Sequence, residues 1–336
     1  MLIDTDIAFD PSGEYGGAAD AESAGYKGLW AAEVGHDPFV VLAGAARATT
    51  AIELGTGIVV AFGRSPMITA TLANDLQVLS AGRLVLGLGS QIKAHIEKRY
   101  SMPWSHPAPR MREYVLALRA IWSAWNEGTP LNFRGEFYRH TLMTPFVSPT
   151  PHGYGPPKIF LAAVGEVMTE VVGEVADGLL VHPFTTQRYL REVTVPALER
   201  GLAKSGRSRS DVQIAFSGLV ATGADGAAMA ASIEAVRQQI AFYASTPAYR
   251  PVLELHGWSP LQPELALLAR RGEWSAMGRL IDEHVLNAVA VVAPPGDVAH
   301  EVVCRVGGVV DRFSIYAPSG LSDGARGTIA RDLAAS

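Results

Sequence analysis

Cysteine is almost absent from this 336-residue chain, with Cys304 the single example. One thiol forms no intrachain disulfide and no zinc cluster. Cys304 lies in the apolar run Val302 to Val306, and the expectation is a buried, inert side chain. Charge is also sparse: 18% of residues are Asp, Glu, Lys or Arg, with a formal net charge of -5. No basic stripe is present, which argues against nucleic acid as a partner. The densest basic run, Arg200 to Arg209, reads as a solvated helix-loop junction. No apolar stretch is long enough for a bilayer span, and Met1 to Asp10 carries no cationic leader ahead of an apolar run. A cytoplasmic protein that does not engage membranes is expected.

Several catalytic signatures are missing as well. Gly87-Leu88-Gly89 begins a dinucleotide fingerprint, but the third glycine position is Ile92. There is no phosphate-loop Gly-Lys pair, no Gly-x-Ser-x-Gly elbow and no His-Glu-x-x-His. The nine histidines are scattered. Glu33, His36, Asp37, His95 and His182 do not form a convincing metal set, and no metal is expected.

What is present is alternation. Hydrophobic residues make up 48% of the chain, enough for a large core. Short β-branched runs alternate with helical periodicity. The strands are expected at Leu2 to Phe9, Gly28 to Ala32, Glu53 to Ala61, Arg83 to Leu88, Lys158 to Ala163, Gly178 to Val181, Gln213 to Ala221 and Arg312 to Tyr316. Helices are expected between them. Ser65 is the N-cap of one, with Pro66 at its first position. Eight strands with helical crossovers suggest an α/β fold closed as a (β/α)8 TIM barrel. The whole chain, 1–336, reads as one barrel domain. Two segments, about 91–157 and 245–295, are too long for ordinary loops. They are expected as insertions over the C-terminal mouth, where barrel ligands bind.

Four ordered segments resemble the luciferase-like flavin and deazaflavin enzymes. They are Gly28-Leu29-Trp30-Ala31-Ala32-Glu33 with His36-Asp37-Pro38-Phe39; Leu54-Gly55-Thr56-Gly57-Ile58 with Arg64-Ser65-Pro66; Leu79 to Ser90; and Ile159 to Gly165 with Ala176-Asp177-Gly178. The segments Gly89 to Glu97 and Met102 to Pro107 are most similar to the branch that uses the deazaflavin coenzyme F420. The resemblance implies a barrel of the bacterial luciferase type and hydride transfer between F420 and a small apolar substrate. An FMN-dependent monooxygenase and a non-catalytic flavin-binding protein are the alternatives. It also implies a homodimer.

Site residues follow from the same resemblance. A non-proline cis peptide is implied at Gly57-Ile58, behind the cofactor ring. Gly87 and Gly89 lack side chains where the ring or its tail would approach. Ser90 and His95 are candidate tail contacts. Ala163, Val164 and Gly165 precede a helix whose N-terminus suits a phosphate, although Glu166 and Glu170 bring negative charge nearby. Glu33 matches an acidic family position. Many relatives have histidine next to it, where this chain has Val34. His36 becomes the first acid-base candidate, with Glu33 and His182 as alternatives. Trp104, Phe137, Tyr138, Phe184 and Trp258 fit an apolar substrate pocket, and core packing explains each equally well. Glucose-phosphate-oxidising relatives carry a lysine where this chain reads Pro183-Phe184-Thr185-Thr186, so a sugar phosphate is not expected.

Overall fold

The computed structural model describes residues 1–335. Eight parallel strands close into a ring: β1 (Leu2–Asp6), β2 (Gly28–Ala31), β3 (Glu53–Thr56), β4 (Leu84–Gly89), β5 (Lys158–Ala163), β6 (Gly178–Val181), β7 (Gln213–Ala221) and β8 (Arg312–Tyr316). Each pairs with the next, and β8 pairs with β1, so the ring closes. This is the expected TIM barrel. The last four strands have the predicted bounds. Two shorter strands extend the sheet at its mouth: Val59–Val60 pairs with β4 and Val291–Val292 with β7.

The third strand is the main departure from expectation. The sequence pattern predicts one run to Ala61, but β3 stops at Thr56 and pairing resumes only at Val59. Between them the chain leaves the sheet at Gly57-Ile58, whose peptide is cis. The first strand is also shorter, ending at Asp6 rather than Phe9.

Helices pack around the ring and bury its outer face in one large apolar cluster. Their ends follow local capping chemistry. Asp37 accepts the Phe39 N–H at the start of Pro38–Ala48, and Ser65 accepts the Ile68 N–H at the start of Pro66–Leu79. Among the described residues, no helix is long and apolar enough to cross a membrane. The chain between β4 and β5 carries the helix Pro107–Asn126 and a small hairpin. The chain between β7 and β8 carries several helices, from Gly226–Ala244 onward.

Cys304 is exposed, not buried. The run Val302 to Val306 is helical, within Val298–Val306, so its apolar residues do not share one face. Val302 and Val306 turn inward while Cys304 turns outward, beside His300. The basic run is also less free than expected. Arg200 and Lys204 pair with Glu166, Glu170 and Glu174, and Arg209 pairs with Asp311.

Alternate residues of each strand face the barrel interior. At the N-terminal end that interior is ionic. Arg312 is 1% exposed and forks onto both oxygens of Asp4, at 2.8 and 2.9 Å. It also binds Glu53, which reaches Lys158 at 3.3 Å. Trp30 closes the cluster from above and donates to Asp4 at 2.9 Å. Gly28 and Gly55 make this possible, since a Cβ on either would collide with Arg312 or with the Trp30 ring. Burial alone would lower the Arg312 pKa, but Asp4 and Glu53 outweigh it and raise it. Removing one partner from such a cluster leaves a buried charge uncompensated. Arg312→Ala should therefore lose about 3–5 kcal/mol of stability in urea unfolding. Lys158→Ala, at the wet rim of the same network, should lose less than about 1 kcal/mol.

Candidate active site

The C-terminal end of the barrel is open. Trp30, Ala162, Leu180, Ser217 and Ser314 sit on five strands and are only partly buried. Almost all their strand neighbours are buried. These positions face the interior, and Trp30 and Leu180 pack there with Val85, Phe160 and Ala215. Their partial exposure shows that solvent reaches the upper interior of the ring but not the ionic cluster below it.

The front wall of this opening is the bulge. Gly57 is exposed, and a Cβ there would meet nothing nearer than Trp30 at 3.7 Å. Glu33 fixes the segment behind it. Its carboxylate accepts from the Val60 N–H at 2.8 Å, from Arg64 at 2.6 Å and from the Tyr100 hydroxyl at 2.8 Å. The Glu33 N–H donates to the Ile58 carbonyl at 3.2 Å. Arg64 forks to Asp37 at 2.7 Å. Burial opposes charge on Arg64, yet Glu33 and Asp37 raise its pKa overall. Burial and the Glu33 contact both raise Tyr100, so the phenol remains a donor. With three donors in place, Glu33 anchors the bulge and is poorly placed to exchange a proton with a ligand.

The glycines of β4 serve the same construction. A Cβ on Gly87 would stand 1.8 Å from the Thr56 carbonyl oxygen, and one on Gly89 would stand 2.8 Å from the Ile58 side chain. The space expected for a ligand at these two residues is filled by β3 and the bulge. At both positions the missing side chain admits the neighbouring strand.

His36 is exposed on the rim and stacks on Phe9, with centroids 4.1 Å apart. His95 is exposed on the short helix Lys93–Lys98, and Ser90 turns its hydroxyl to the Gln91 carbonyl. Neither lies in a defined polar cluster. Two strands further round the ring from the bulge, β5 ends at Ala163, and Gly165 begins the helix Glu166–Val175 with no side-chain cap. Its leading amides are the kind of group that receives a phosphate. Arg200 pairs with Glu166 at 2.6 Å and with Glu170 at 2.8 Å, which offsets the negative charge noted in the sequence.

His182 follows β6 on the same alternating face as Leu180. Its ring stacks on Tyr249 at 4.2 Å and meets the edge of Tyr243 at 4.6 Å. Its Nδ1 accepts the Phe184 N–H at 3.0 Å. Burial lowers its pKa to about 3. Tyr243, Tyr249 and the half-buried Tyr316 were missed as site residues. Tyr243 ends the helix Gly226–Ala244 and Tyr249 lies in the turn after it, over sixty residues from His182, so no local pattern connects them. Of the aromatics expected to line a pocket, Phe184 is buried beside Tyr249. Trp104 packs on Phe62, Tyr138 on Tyr114, Phe137 near His106 and Trp258 on His256.

A family model described as luciferase-like monooxygenase matches residues 11–312. The chain belongs to that family. A Mycobacterium tuberculosis relative described as an uncharacterized protein is 59% identical over 299 residues, covering 88% of both chains. A 5,10-methylenetetrahydromethanopterin reductase of Archaeoglobus fulgidus is 27% identical, over 84% of this chain and 82% of that one. Among solved structures, the coenzyme F420 dependent tetrahydromethanopterin reductase from Methanopyrus kandleri has a TM-score of 0.80 at 21% identity. It covers 98% of this chain and 97% of its own. This luciferase-like barrel therefore shares its architecture with an F420-dependent reductase along nearly its full length.

Two outcomes follow from the site geometry. Glu33→Gln weakens the charge-assisted bonds to Arg64 and Val60, and should cost about 1–3 kcal/mol and speed amide exchange at Val60. His182 should make the fold acid-sensitive. Above its unfolded pKa, near 6.5, both states are neutral there. Below it the unfolded chain takes up a proton that the folded chain refuses until pH falls to about 3. Stability is thus lost as pH falls through that window, at up to about 1.4 kcal/mol per pH unit. His182→Gln should flatten the wild-type slope between about pH 6 and pH 4.5 by most of that amount.

Proposed function

We propose that this chain is a coenzyme F420-dependent oxidoreductase, moving a hydride between the deazaflavin and a small apolar organic molecule. The observation that carries the reading is the solvent-reachable upper barrel, with Trp30, Ala162, Leu180, Ser217 and Ser314 partly exposed on its inner face and the exposed Gly57 bulge beside Trp30. The residues present fit a planar ring with a phosphorylated tail. Partly exposed interior side chains lie beside the bulge, and an uncapped helix N-terminus, whose acidic neighbours pair with Arg200, follows β5 two strands further round. Likeness to the coenzyme F420 dependent reductase from Methanopyrus kandleri supports the choice of deazaflavin.

Gly57 and Ile58 would back the ring, and Ala163, Val164 and Gly165 would receive the phosphate through backbone amides. Ser90 and His95 lie on the segment after β4, where a tail would pass. Deazaflavin supplies a carbon that gives or takes hydride and reacts sluggishly with oxygen; that chemistry belongs to the cofactor. The protein's part is to hold the ring face against a substrate and to exclude water. Barrel helices would form a homodimer interface, and the protein would work in the cytoplasm.

Fluorescence quenching of the full chain by F420 and by FMN, in parallel, tests the reading. Micromolar or tighter F420 binding with weaker FMN binding is expected. A preference for FMN would move the assignment to a monooxygenase, and binding of neither would overturn both. Gly57→Ala adds one methyl at an open, exposed position. It should weaken F420 binding by about tenfold, equal to about 1.4 kcal/mol, with little change in unfolding temperature.

A further inference from the structure

His182 sits in the mouth with an unusual set of neighbours. Its Nδ1 is already an acceptor, bonded to the Phe184 N–H at 3.0 Å. A neutral imidazole carries one proton, so that proton is on Nε2. Nε2 has no hydrogen-bond partner among the described residues. Protonating the ring would set two N–H groups against each other at Nδ1, so burial and geometry both oppose the cation.

The walls around it are neutral too. Tyr249 stacks on one face and Tyr243 presents an edge. Burial pushes the Tyr249 phenol up to about 12, and burial together with Tyr316 raises Tyr243 still further. No charged group contributes to the His182 shift, whose only cause is burial. Leu180, Ser217 and Ser314 complete the interior wall without charge. One directed N–H in an uncharged aromatic pocket recognises one kind of ligand group well. An uncharged oxygen accepts its bond, whereas an anion would be stripped of water with no cation to replace it.

We propose that His182 is a substrate-binding donor whose Nε2–H holds a carbonyl or alcohol oxygen of an otherwise apolar substrate, and that this end of the mouth rejects carboxylates and phosphates. The inference rests on the deazaflavin reading only for where the substrate lies.

The test uses the full chain with 15N-labelled histidine, titrated with cyclohexanone or with cyclohexanecarboxylate, each with and without F420. The His182 signals should show the Nε2-protonated pattern from about pH 5 to about pH 8. They should move on adding the ketone and move far less with the carboxylate. His182→Phe should bind cyclohexanone at least about tenfold more weakly, and His182→Gln, which keeps an N–H, should stay within about threefold of wild type. F420 affinity should be unchanged in both variants. Titration of His182 near its ordinary value of about 6.5, an Nδ1-protonated pattern, or tighter binding of the carboxylate would overturn the proposal. Failure of F420 to bind while the ketone response persists would count against the cofactor reading alone. Loss of the ketone response with F420 binding intact would count against His182 alone.

Discussion

The Glu33 carboxylate gathers donors from three separate segments: the Val60 amide, the Arg64 guanidinium and the Tyr100 phenol. Val60 belongs to a two-residue strand, Arg64 to a turn, and Tyr100 to the chain just after a six-residue helix. A single carboxylate therefore registers the end of β2 against the bulge and against the first long connection. Arginine suits the joint because its planar fork serves two carboxylates at once, where an ammonium would meet them less directionally. The second carboxylate, Asp37, also caps the following helix. The front wall, the helix start and the overlying connection thus share one electrostatic centre, in which Glu33 and Arg64 are largely buried and Asp37 faces solvent.

The barrel interior is divided by polarity along its axis. Its lower end holds Arg312, Asp4 and Glu53, sealed by the Trp30 ring. Its upper end holds Leu180, Ser217, Ser314 and the neutral His182. A buried ion cluster is weak evidence of net stability, since desolvation offsets most of the attraction. It does fix the positions of the strands that meet there, because unpaired alternatives leave a bare charge. The interior charges are thus confined below Trp30, while those at the mouth, Glu33, Arg64 and Asp37, pair with one another behind the bulge.

Much of the fold was legible because its strands are continuous apolar runs, the pattern of strands covered on both faces. That pattern placed β5, β6, β7 and β8 to the residue. It failed at the third strand because Gly57-Ile58 continues the hydrophobic pattern while the backbone leaves the sheet. It failed for Cys304 because a helical run was read as a buried block. The site was legible only where chemistry is local. The uncapped helix start at Gly165 and the acidic Glu33 could be found, but not what they touch. Whether Gly87 faces a ligand or the Thr56 carbonyl depends on a strand over thirty residues away. The tyrosines around His182 arrive from another insertion entirely.

The resemblance places a histidine beside the acidic residue after β2 in many relatives, where this chain has Val34, which is 72% exposed. His36 does not fill the gap, because its ring lies outward against Phe9. The imidazole facing the mouth instead enters from β6, on the opposite side of the ring. Its surroundings differ in kind: tyrosine rings and a backbone amide replace the acid-arginine pair at β2. A histidine beside a carboxylate is readily charged, whereas one in an aromatic cage with Nδ1 already bonded stays neutral. The same barrel can thus present a titrating group or a fixed donor to the same mouth, depending on which strand supplies the imidazole. Fold alone does not decide the chemistry; here the decision lies in the amide of Phe184 and the two rings that enclose His182.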